Sequence, residues 1–405
     1  MFRRIIAMFL TLALVFTACA CTKQPGKNPE TKTDAGNVQT KIELPETDKK
    51  VAVLVAPESQ YPEDYRAAKA LAEKYPGKVI VKEYADSRIL TSGDSEIITF
   101  SREIAADPSY GAIVYARATR YTSYAISQAK EAAKYSNPGI KFICVEPEES
   151  VFELGEKADL VITADWYAAA KDIVAQAKAH GAEHFLFFSF KRHVNDNPLY
   201  GGIMAHIKTT CEEAGITFIY EPSLDSNGTE YDMKKAKEYL SEAVARHIKN
   251  GTVGEKNVAL FSTDSAVQAT LVEIANERGF IYVSPTFPTA FNGIGEKYSV
   301  ALPDDMNAKA YIENIKKALN ADENAKGKFS SYTYTLATTL LTSAVYCAFD
   351  LVVASEDMNY SELAETVIGR LKAIAGNEAF TASHYDTENH VNLFKAYCPG
   401  YEIIK

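Results

Sequence analysis

Residues 159–190 read DLVITADWYAAAKDIVAQAKAHGAEHFLFFSF, and this stretch decides the fold class. Two apolar runs, DLVITA (159–164) and HFLFFSF (184–190), have the length and composition of strands that are buried on both faces. The segment 166–181 between them has helical spacing and ends at Gly181, the residue type that most often follows a helix C-terminus. A strand, a helix and a strand in this order are typical of α/β proteins built from parallel sheets.

The same alternation extends in both directions from this unit. Each predicted strand is a short apolar run, and amphipathic helices separate most of them, which is typical of βαβ units with helices on both faces of a sheet. Helices are also expected near 306–319, 332–354 and 360–374. The predicted strands occupy 51–56, 79–85, 112–116, 141–146, 159–164, 184–190, 216–222, 257–263, 280–285 and 298–303.

The length of the chain favours two lobes. About 355 residues follow the N-terminal segment, which is more than one hydrophobic core usually holds. We therefore expect an α/β protein with two doubly wound parallel-sheet lobes. Lobe 1 would comprise 51–164 with about 295–354, and lobe 2 would comprise 165–294. Residues 355–405 form a C-terminal extension that the sequence assigns to neither lobe.

Three stretches resemble the type I periplasmic binding protein superfamily: 159–190, VALFSTDSAVQATLVEIANERGF (258–280) and YSVALPDDMNAKAYIENIKKAL (298–319). The resemblance implies that the two lobes are joined by a multi-strand hinge and bind a small solute between them. Among its branches, the chain looks most like the basic-membrane-protein lipoproteins, which take up nucleosides, and like a group of uncharacterised Gram-positive lipoproteins. It departs from that branch at 57–60, which read PESQ where the branch has an Asp-rich and glycine-rich turn.

The N-terminus has the three parts of a secretory signal. Two arginines precede an apolar run at 5–16, and small residues follow before Cys19. The run is shorter than the roughly 20 apolar residues that span a bilayer. FTAC (16–19) resembles the lipobox of bacterial lipoproteins, which implies a signal peptide at 1–18 and a lipid on Cys19, with Cys21 as the alternative.

Residues 19–50 are predicted to follow the lipid as a flexible tether. They contain few large apolar side chains, so they cannot bury enough surface to offset the entropy of becoming ordered. A lipid on Cys19 with such a tether would hold the folded part at the extracytoplasmic face of the cell membrane. The lipid bilayer is therefore an expected partner.

Composition and motifs argue against several function classes. The net charge of −10 argues against a nucleic-acid partner, which would need a basic face. The chain has no C-x-x-C, G-x-S-x-G, H-E-x-x-H or Walker motif, so we expect no catalytic residue, cofactor or metal. Cys144 and Cys211 are expected to be buried small apolar residues, and in an extracellular setting Cys347 and Cys398 are compatible with a disulfide.

Solutes bind beyond the carboxyl ends of the strands in open parallel sheets. Aromatic rings there would stack on a planar base or a sugar, carboxylates would accept from hydroxyl groups, and arginines would bind a carboxylate. A ring compound with hydroxyl groups fits this mixture best, and an amino-acid-like solute comes second. The rule selects Glu58, Ser59, Tyr61, Tyr115, Arg117, Glu146, Asp165, Trp166, Ser189, Arg192, Asp225, Thr263 and Asp264.

The sequence therefore predicts a binding protein rather than an enzyme. The first interpretation is the substrate-binding component of an ABC-type uptake system, with a nucleoside or a sugar as the solute and a membrane permease as the partner. A second is a subunit that senses a ligand and presents it to a membrane receptor without transport. A third is an extracytoplasmic enzyme, for which no nucleophile and base can be assembled from neighbouring residues.

Overall fold

The computed structural model describes residues 42–84, 96–195, 198–226, 230–285, 287–354, 357–385 and 391–405. The predicted signal peptide 1–18, Cys19 and most of the predicted tether lie outside the described residues. The strands are β1 (Lys50–Val55), β2 (Val79–Glu83), β3 (Tyr110–Tyr115), β4 (Lys141–Val145), β5 (Leu160–Ala164), β6 (His184–Ser189), β7 (Thr217–Pro222), β8 (Val258–Ser262), β9 (Ile281–Tyr282), β10 (Lys328–Tyr332), β11 (Thr381–His384), β12 (Leu393–Tyr397) and β13 (Tyr401–Ile403). The helices are α1 (Pro62–Lys74), α2 (Glu96–Ala106), α3 (Thr122–Ala133), α4 (Val151–Gly155), α5 (Trp166–Ala179), α6 (Lys191–Val194), α7 (Pro198–Ala214), α8 (Glu230–Lys249), α9 (Gln268–Arg278), α10 (Gly293–Lys297), α11 (Ala308–Ala321), α12 (Leu336–Val353) and α13 (Tyr360–Ala375).

The first sheet has the strand order β2-β1-β3-β4-β5-β12-β11. Its strands run parallel except β11, which pairs antiparallel with β12. β1, β3, β4 and β5 are buried along almost their whole length, which explains why their sequences are continuous apolar runs. Helices α1, α12 and α13 cover one face, and α2, α3 and α4 cover the other.

The second sheet has the order β13-β10-β9-β8-β6-β7. It is parallel except for β13, which pairs antiparallel with β10 at the edge. Helices α5 and α7 cover one face, and α8, α9, α10 and α11 cover the other. Gly181 after α5 and Gly215 after α7 have φ of +81° and +73°, the left-handed conformation that glycine adopts without strain.

The described chain crosses between the two sheets at three places. After β5 it passes Asp165 into α5, whose apolar face packs on the second sheet. It returns after β10 through 333–335 into α12, and it crosses again after β12 through 398–400 into β13. The protein is therefore an α/β protein with two doubly wound, mainly parallel sheets, which confirms the fold class predicted from the sequence.

The late part of the chain divides between the lobes differently from the sequence-based assignment. Residues 298–303 form no strand and lie against the core of the second sheet as an irregular segment. β10 pairs with β9, and α11 packs on the same core, so 298–332 belongs to lobe 2 and not to lobe 1. Of the predicted extension, α13, β11 and β12 complete lobe 1, whereas β13 completes lobe 2.

Helix α12 is apolar on all sides because it lies in the core of lobe 1. Its length and composition would also suit a membrane span, but 72% of the segment is buried inside the fold. A Cβ atom at Gly111 of β3 would lie 2.7 Å from Val352 at the end of α12. The absence of a side chain at Gly111 therefore allows this helix to approach the sheet closely.

All four described cysteines are buried and free. Cys347 lies within α12, and the Sγ atom of Cys398 accepts a hydrogen bond from Asn377 Nδ2 at 3.1 Å. The disulfide that the sequence left open between Cys347 and Cys398 is therefore not formed. The two thiols instead behave as small apolar core groups.

Candidate functional site

Arg117, which follows β3, is the centre of the lobe 1 half of the candidate site. Its Nε donates a hydrogen bond to Asp64 Oδ2 at 2.7 Å. Its guanidinium lies 4.8 Å from the centroid of the Tyr61 ring and 4.9 Å from that of Phe287. The quadrupoles of the two rings and the carboxylate all attract the cation, so Arg117 is engaged on three sides.

Asp64, in the first turn of α1, is 2% exposed. Burial raises the pKa of its carboxyl group, and the neighbouring Arg117 guanidinium opposes that rise. Its Oδ1 atom is buried and has no hydrogen-bond partner among the described residues. One oxygen of this carboxylate is therefore satisfied by Arg117, and the other is left without a donor, which costs free energy in a buried position.

Glu146 follows β4 and is buried beside the same arginine. Its carboxylate accepts a hydrogen bond from the backbone N–H of Ala164. Burial, opposed by Arg117, raises its pKa from the ordinary value of 4.5 to about 7. Its φ of +45° is unusual for a residue with a side chain, and strained backbone of this kind concentrates at functional sites.

Glu63 joins lobe 1 to the segments that come from lobe 2. Its carboxylate accepts hydrogen bonds from the hydroxyl groups of Thr289, at 2.9 Å, and of Thr335. Thr289 and Thr335 also form an antiparallel bridge with each other. Burial raises the pKa of Glu63 to about 7, although both threonine hydrogen bonds act in the opposite direction.

The lobe 2 half contains a buried chain of hydroxyl groups at the ends of β6 and β8. Ser189 Oγ lies 2.6 Å from Thr263 Oγ1, and His193 Nδ1 lies 3.0 Å from the same atom. Burial, together with the nearby Arg192, lowers the pKa of His193 to about 4, so its imidazole is neutral near pH 7. These groups hold the loop after β6 to the loop after β8.

Arg192 and Asp225 form a bidentate ion pair at the rim of lobe 2. Arg192 donates from Nε to Oδ2 at 2.8 Å and from Nη2 to Oδ1 at 3.0 Å. The side chain of Arg192 is 53% exposed, so this pair is solvated, whereas the Arg117–Asp64 pair is mostly buried. Both arginines that the sequence singled out are thus already bound to carboxylates of the protein.

Asp264, after β8, caps the short turn at Ser265–Val267. Its Oδ1 accepts from the backbone N–H of Ala266 at 2.9 Å and from Ser226 Oγ at 3.3 Å. Its Oδ2 is buried and has no partner among the described residues. Burial raises the pKa of this carboxyl group.

Aromatic rings lie where the two halves meet. Trp166 contacts Phe287 edge to face at a centroid distance of 5.4 Å, and its indole packs against the cores of both lobes. Tyr200 of α7 stacks on His193 at 4.0 Å. Burial, followed by the Glu148 carboxylate of lobe 1, raises the pKa of Tyr200 to about 12. Tyr200 of lobe 2 therefore lies within the electrostatic reach of lobe 1.

Four predicted site residues lie apart from this constellation. Tyr115 is in the core of lobe 1, and its hydroxyl group donates to Ser101 Oγ at 2.9 Å. Glu58 pairs with Arg66 of α1 at 2.7 Å, and the neighbouring Ser59 is exposed. Asp165 caps α5 through the backbone N–H of Ala168 at 3.1 Å and lies 3.6 Å from Lys395.

The structure adds residues that sequence reasoning did not select, namely Glu63, Asp64, Tyr200 and Phe287. Acidic residues are common in the first turn of any helix, because they complement its dipole, so nothing in the sequence marks Glu63 and Asp64. Phe287 lies in a segment without regular structure, and Tyr200 lies near the start of a long helix. Glu63, Asp64 and Phe287 contact residues that are distant in the sequence, whereas Tyr200 stacks on the nearby His193.

The arrangement is suited to binding donors rather than anions. Carboxylates and neutral hydroxyl groups line both halves, and the arginines are occupied. Ser189 and Thr263 are buried and bonded to each other, so neither is placed as an accessible nucleophile. Among the described residues no group of three or more His, Cys, Asp or Glu side chains is arranged to hold a metal ion.

Comparison with known sequences places most of the chain in one family. A family model described as "Protein of unknown function (DUF3798)" matches residues 49–330. An uncharacterized protein of Treponema pallidum (strain Nichols) is 23% identical over 199 residues, which are 48% of this chain and 87% of that protein. The family match covers both halves of the candidate site.

Comparison with solved structures supports the two-sheet fold. A putative transcriptional regulator from Clostridium difficile 630 superposes with a TM-score of 0.71 at 19% identity, over 88% of this chain and 99% of that chain. At this identity the likeness concerns the fold alone. A periplasmic ribose ABC transporter from Conexibacter woesei DSM 14684 is more distant, with a TM-score of 0.46 at 13% identity over 77% of this chain and 89% of that chain.

Proposed function

The chain belongs to the family described as "Protein of unknown function (DUF3798)", and we propose that this member is a lipid-anchored solute-binding protein. It would bind a small polar ring compound, a nucleoside or a sugar, between its lobes at the extracytoplasmic face of the cell membrane. It would deliver that solute to the permease of an ABC-type uptake system. The solute leaves the protein unchanged, so no catalytic step is part of the proposal.

The observation that carries this proposal is the position of Tyr200. It stacks on His193 within lobe 2, and its hydroxyl group lies in the field of Glu148 and Arg117 of lobe 1. A site built from both lobes binds its solute more tightly when the lobes close around it, which is the hinge motion of periplasmic binding proteins. This arrangement supports binding between the lobes.

The chemistry of the lining supports a ring compound with hydroxyl groups. A base or a sugar would stack on the ring faces of Tyr61, Trp166, Phe287 and Tyr200 that Arg117 and His193 do not cover. The free carboxylate oxygens of Asp64 and Asp264 would accept hydrogen bonds from solute hydroxyl groups. An amino-acid-like solute is less well matched, because both arginines are already paired.

The first experiment is a thermal-shift screen of the purified protein against nucleosides, sugars and amino acids. A solute that binds only the folded state stabilises it by about 2.7 kcal/mol when its free concentration is about 100 times Kd. We expect at least one nucleoside or sugar to raise the melting temperature in a saturable manner. A library in which no small solute produces such a shift would contradict the proposed function.

A matched pair of tyrosine variants tests whether the solute binds between the lobes. Tyr200→Ala removes the ring that stacks on His193 and faces lobe 1, so the solute-dependent shift should decrease strongly. Tyr135→Ala removes a ring that is 91% exposed and should leave the shift unchanged. An equal shift in both variants would place the solute elsewhere.

The anchor is tested with the two neighbouring cysteines. Cells that express the protein are labelled with radioactive palmitate, and the protein is precipitated. We expect label in the wild type and in Cys21→Ala, and none in Cys19→Ala, because only Cys19 follows the lipobox-like residues. Label that persists in Cys19→Ala and disappears in Cys21→Ala would show that Cys21 carries the lipid. Absence of label in the wild type would contradict the proposed lipid anchor.

The transport role is tested in a strain that lacks the gene. Uptake of the radiolabelled solute should fall in that strain and recover when the wild-type gene returns. A variant that binds poorly, such as Tyr200→Ala, should not restore uptake. Normal uptake in the deletion strain, together with loss of a cellular response to the solute, would instead support a ligand-sensing subunit.

A further inference from the structure

Asp264 has a buried carboxylate oxygen for which the described part of the chain supplies no donor. The side chain is 6% exposed, and its Oδ1 is held by Ala266 N–H and Ser226 Oγ. Its Oδ2 has no hydrogen-bond partner among the described residues. Leaving such an oxygen unpaired costs free energy, so a donor brought by a solute would be bound favourably here.

The cations near Asp264 are already neutralised or uncharged. Arg192 makes two hydrogen bonds to Asp225. Burial raises the pKa of Asp264, the negative charge of Asp225 adds to that rise, and Arg192 opposes it. His193 is neutral near pH 7, because its pKa is lowered to about 4. Among the described residues of the surrounding loops, Arg192 is the cation that acts on Asp264, and its guanidinium is hydrogen-bonded to Asp225 instead.

The lobe 1 half has the same excess of acid. Arg117 is bound to Asp64 and lies between the rings of Tyr61 and Phe287, so its charge is already engaged by the protein. Arg120 is exposed and acts on Glu148 at the rim. Among the described residues, Arg117, Arg120 and Arg192 act electrostatically on a larger set of carboxyl groups, two of which, Glu63 and Glu146, have a pKa raised to about 7. The carboxyl groups are those of Glu63, Asp64, Glu146, Glu148, Asp225 and Asp264.

We propose that the solute is a ring compound that carries a protonated amine, and that Asp264 binds this amine. The inference rests on the proposed solute-binding function and narrows its ligand to one chemical class. A hydroxyl group would satisfy the hydrogen bond to Oδ2 and leave the charge uncompensated, whereas an ammonium group satisfies both. Tyr200, which stacks on His193, lies in the same half of the site and would stack on the ring of the solute with its other face.

The experiment compares compounds that share a ring and differ in charge. Glucose, glucosamine and glucuronate form one series, galactose, galactosamine and galacturonate a second, and adenosine, 3′-amino-3′-deoxyadenosine and adenosine monophosphate a third. Affinities are measured by calorimetry on the purified protein below pH 7, where the amines are protonated. In the series that contains the right ring, we expect the amine to bind about ten-fold more tightly than the neutral member, and the anion to bind most weakly.

Asp264→Asn is the variant that isolates the charge. Asparagine retains an oxygen that can accept from Ala266 N–H, so the preference for the amine should disappear while the neutral compound still binds. Asp357→Asn removes one negative charge from a side chain that is 92% exposed and should retain the preference. A rise in ionic strength should weaken binding of the amine and leave the neutral member unchanged in the wild type, a readout that does not depend on the variant folding.

Each outcome separates this inference from the proposed function. If a neutral or anionic ring compound binds more tightly than its amine, the inference is wrong and solute binding stands. If the amine is preferred equally in the wild type and in Asp264→Asn, Asp264 is not its binding partner. If no member of any series binds and the wider solute screen also fails, the proposed function itself is wrong.

Discussion

At the scale of single residues, Arg117 and Arg192 make the same kind of ion pair in opposite surroundings. The side chain of Arg117 is 15% exposed and that of its partner Asp64 is 2% exposed, whereas those of Arg192 and Asp225 are 53% and 23% exposed. Removing one partner of a buried pair leaves an uncompensated charge, and removing one partner of a solvated pair costs little. The two pairs therefore differ in what they contribute to stability.

Arg117→Met should lower the free energy of unfolding by about 3 kcal/mol, because Asp64 is then buried without a counter-ion. Arg192→Met, the matched change in lobe 2, should cost less than about 1 kcal/mol. Urea unfolding near pH 7 measures both. Adding Asp64→Asn to Arg117→Met should recover part of the loss, and an equal cost for the two single variants would contradict this account.

Glu63 makes the stability of the protein depend on pH. Its pKa is raised from 4.5 to about 7 in the folded state, so the folded chain holds this proton more tightly than the unfolded chain. Its contribution to stability is therefore fully present below about pH 4.5 and is lost as the pH rises through about 7. Glu146 has the same direction of shift and acts in the same window.

Glu63→Gln should flatten the fall in unfolding free energy between about pH 5 and pH 8, because glutamine resembles the protonated acid at every pH. Urea unfolding at several pH values across this range measures the slope. Glu378→Gln, at a side chain that is 92% exposed, is the control and should leave the wild-type slope unchanged. A slope for Glu63→Gln that is as steep as that of the wild type would refute the assignment.

At the scale of elements, Asp165 at the start of α5 has a structural role, although the sequence predicted that it contacts the solute. Asp165 lies where the chain leaves the first sheet, and its carboxylate accepts from Ala168 N–H. A capping role satisfies an N–H group of the helix that has no partner within the helix. The predicted solute contact of Asp165 remains a prediction, and the cap gives it a second function.

Asp165→Ala should cost about 1 kcal/mol of unfolding free energy, because alanine cannot cap α5. Asp165→Asn retains the cap and should lower the unfolding free energy by only a few tenths of a kcal/mol. If the role is confined to capping, both folded variants should bind the solute as the wild type does. A ten-fold loss of affinity in Asp165→Asn, measured by calorimetry, would restore Asp165 to the binding site.

Element prediction was accurate where local periodicity determines the element, and failed where it does not. β1 and β6 coincide closely with their apolar runs, since a strand buried on both faces must be apolar throughout. Residues 298–303 have the same apolar character, but Val300 and Leu302 are covered by the core of lobe 2 without strand pairing. An apolar run predicts that a segment is buried, but it does not predict which other segment packs against it.

At the scale of the whole molecule, the hinge contains a natural reporter of solute binding. Trp166 is the only tryptophan of the chain, lies at the first crossing between the lobes and contacts Phe287 at 5.4 Å. Its indole packs against the cores of both lobes, so relative motion of the lobes changes its surroundings. Its emission should therefore respond to closure.

Titration with the solute identified by the thermal-shift screen should change the emission of Trp166 in a saturable manner. The Kd obtained from fluorescence should equal that from calorimetry, because both report the same equilibrium. In Trp166→Phe the fluorescence change should disappear, while the solute should still raise the melting temperature, by the same amount or by less. Constant emission across the range in which the melting temperature rises would contradict closure at this hinge.

The sequence by itself determined that strands and helices alternate, because apolar spacing and glycine at helix ends act over a few residues, and the length of the chain favoured two lobes. Only the tertiary structure decided that β12 pairs with β5, that β10 joins lobe 2, and that Phe287 and Tyr200 meet Arg117 and His193. Pairing between distant segments depends on which surfaces fit when the whole chain is compact. The local sequence pattern does not predict which distant segments pair. The residues that complete the site could therefore be identified only from the folded structure.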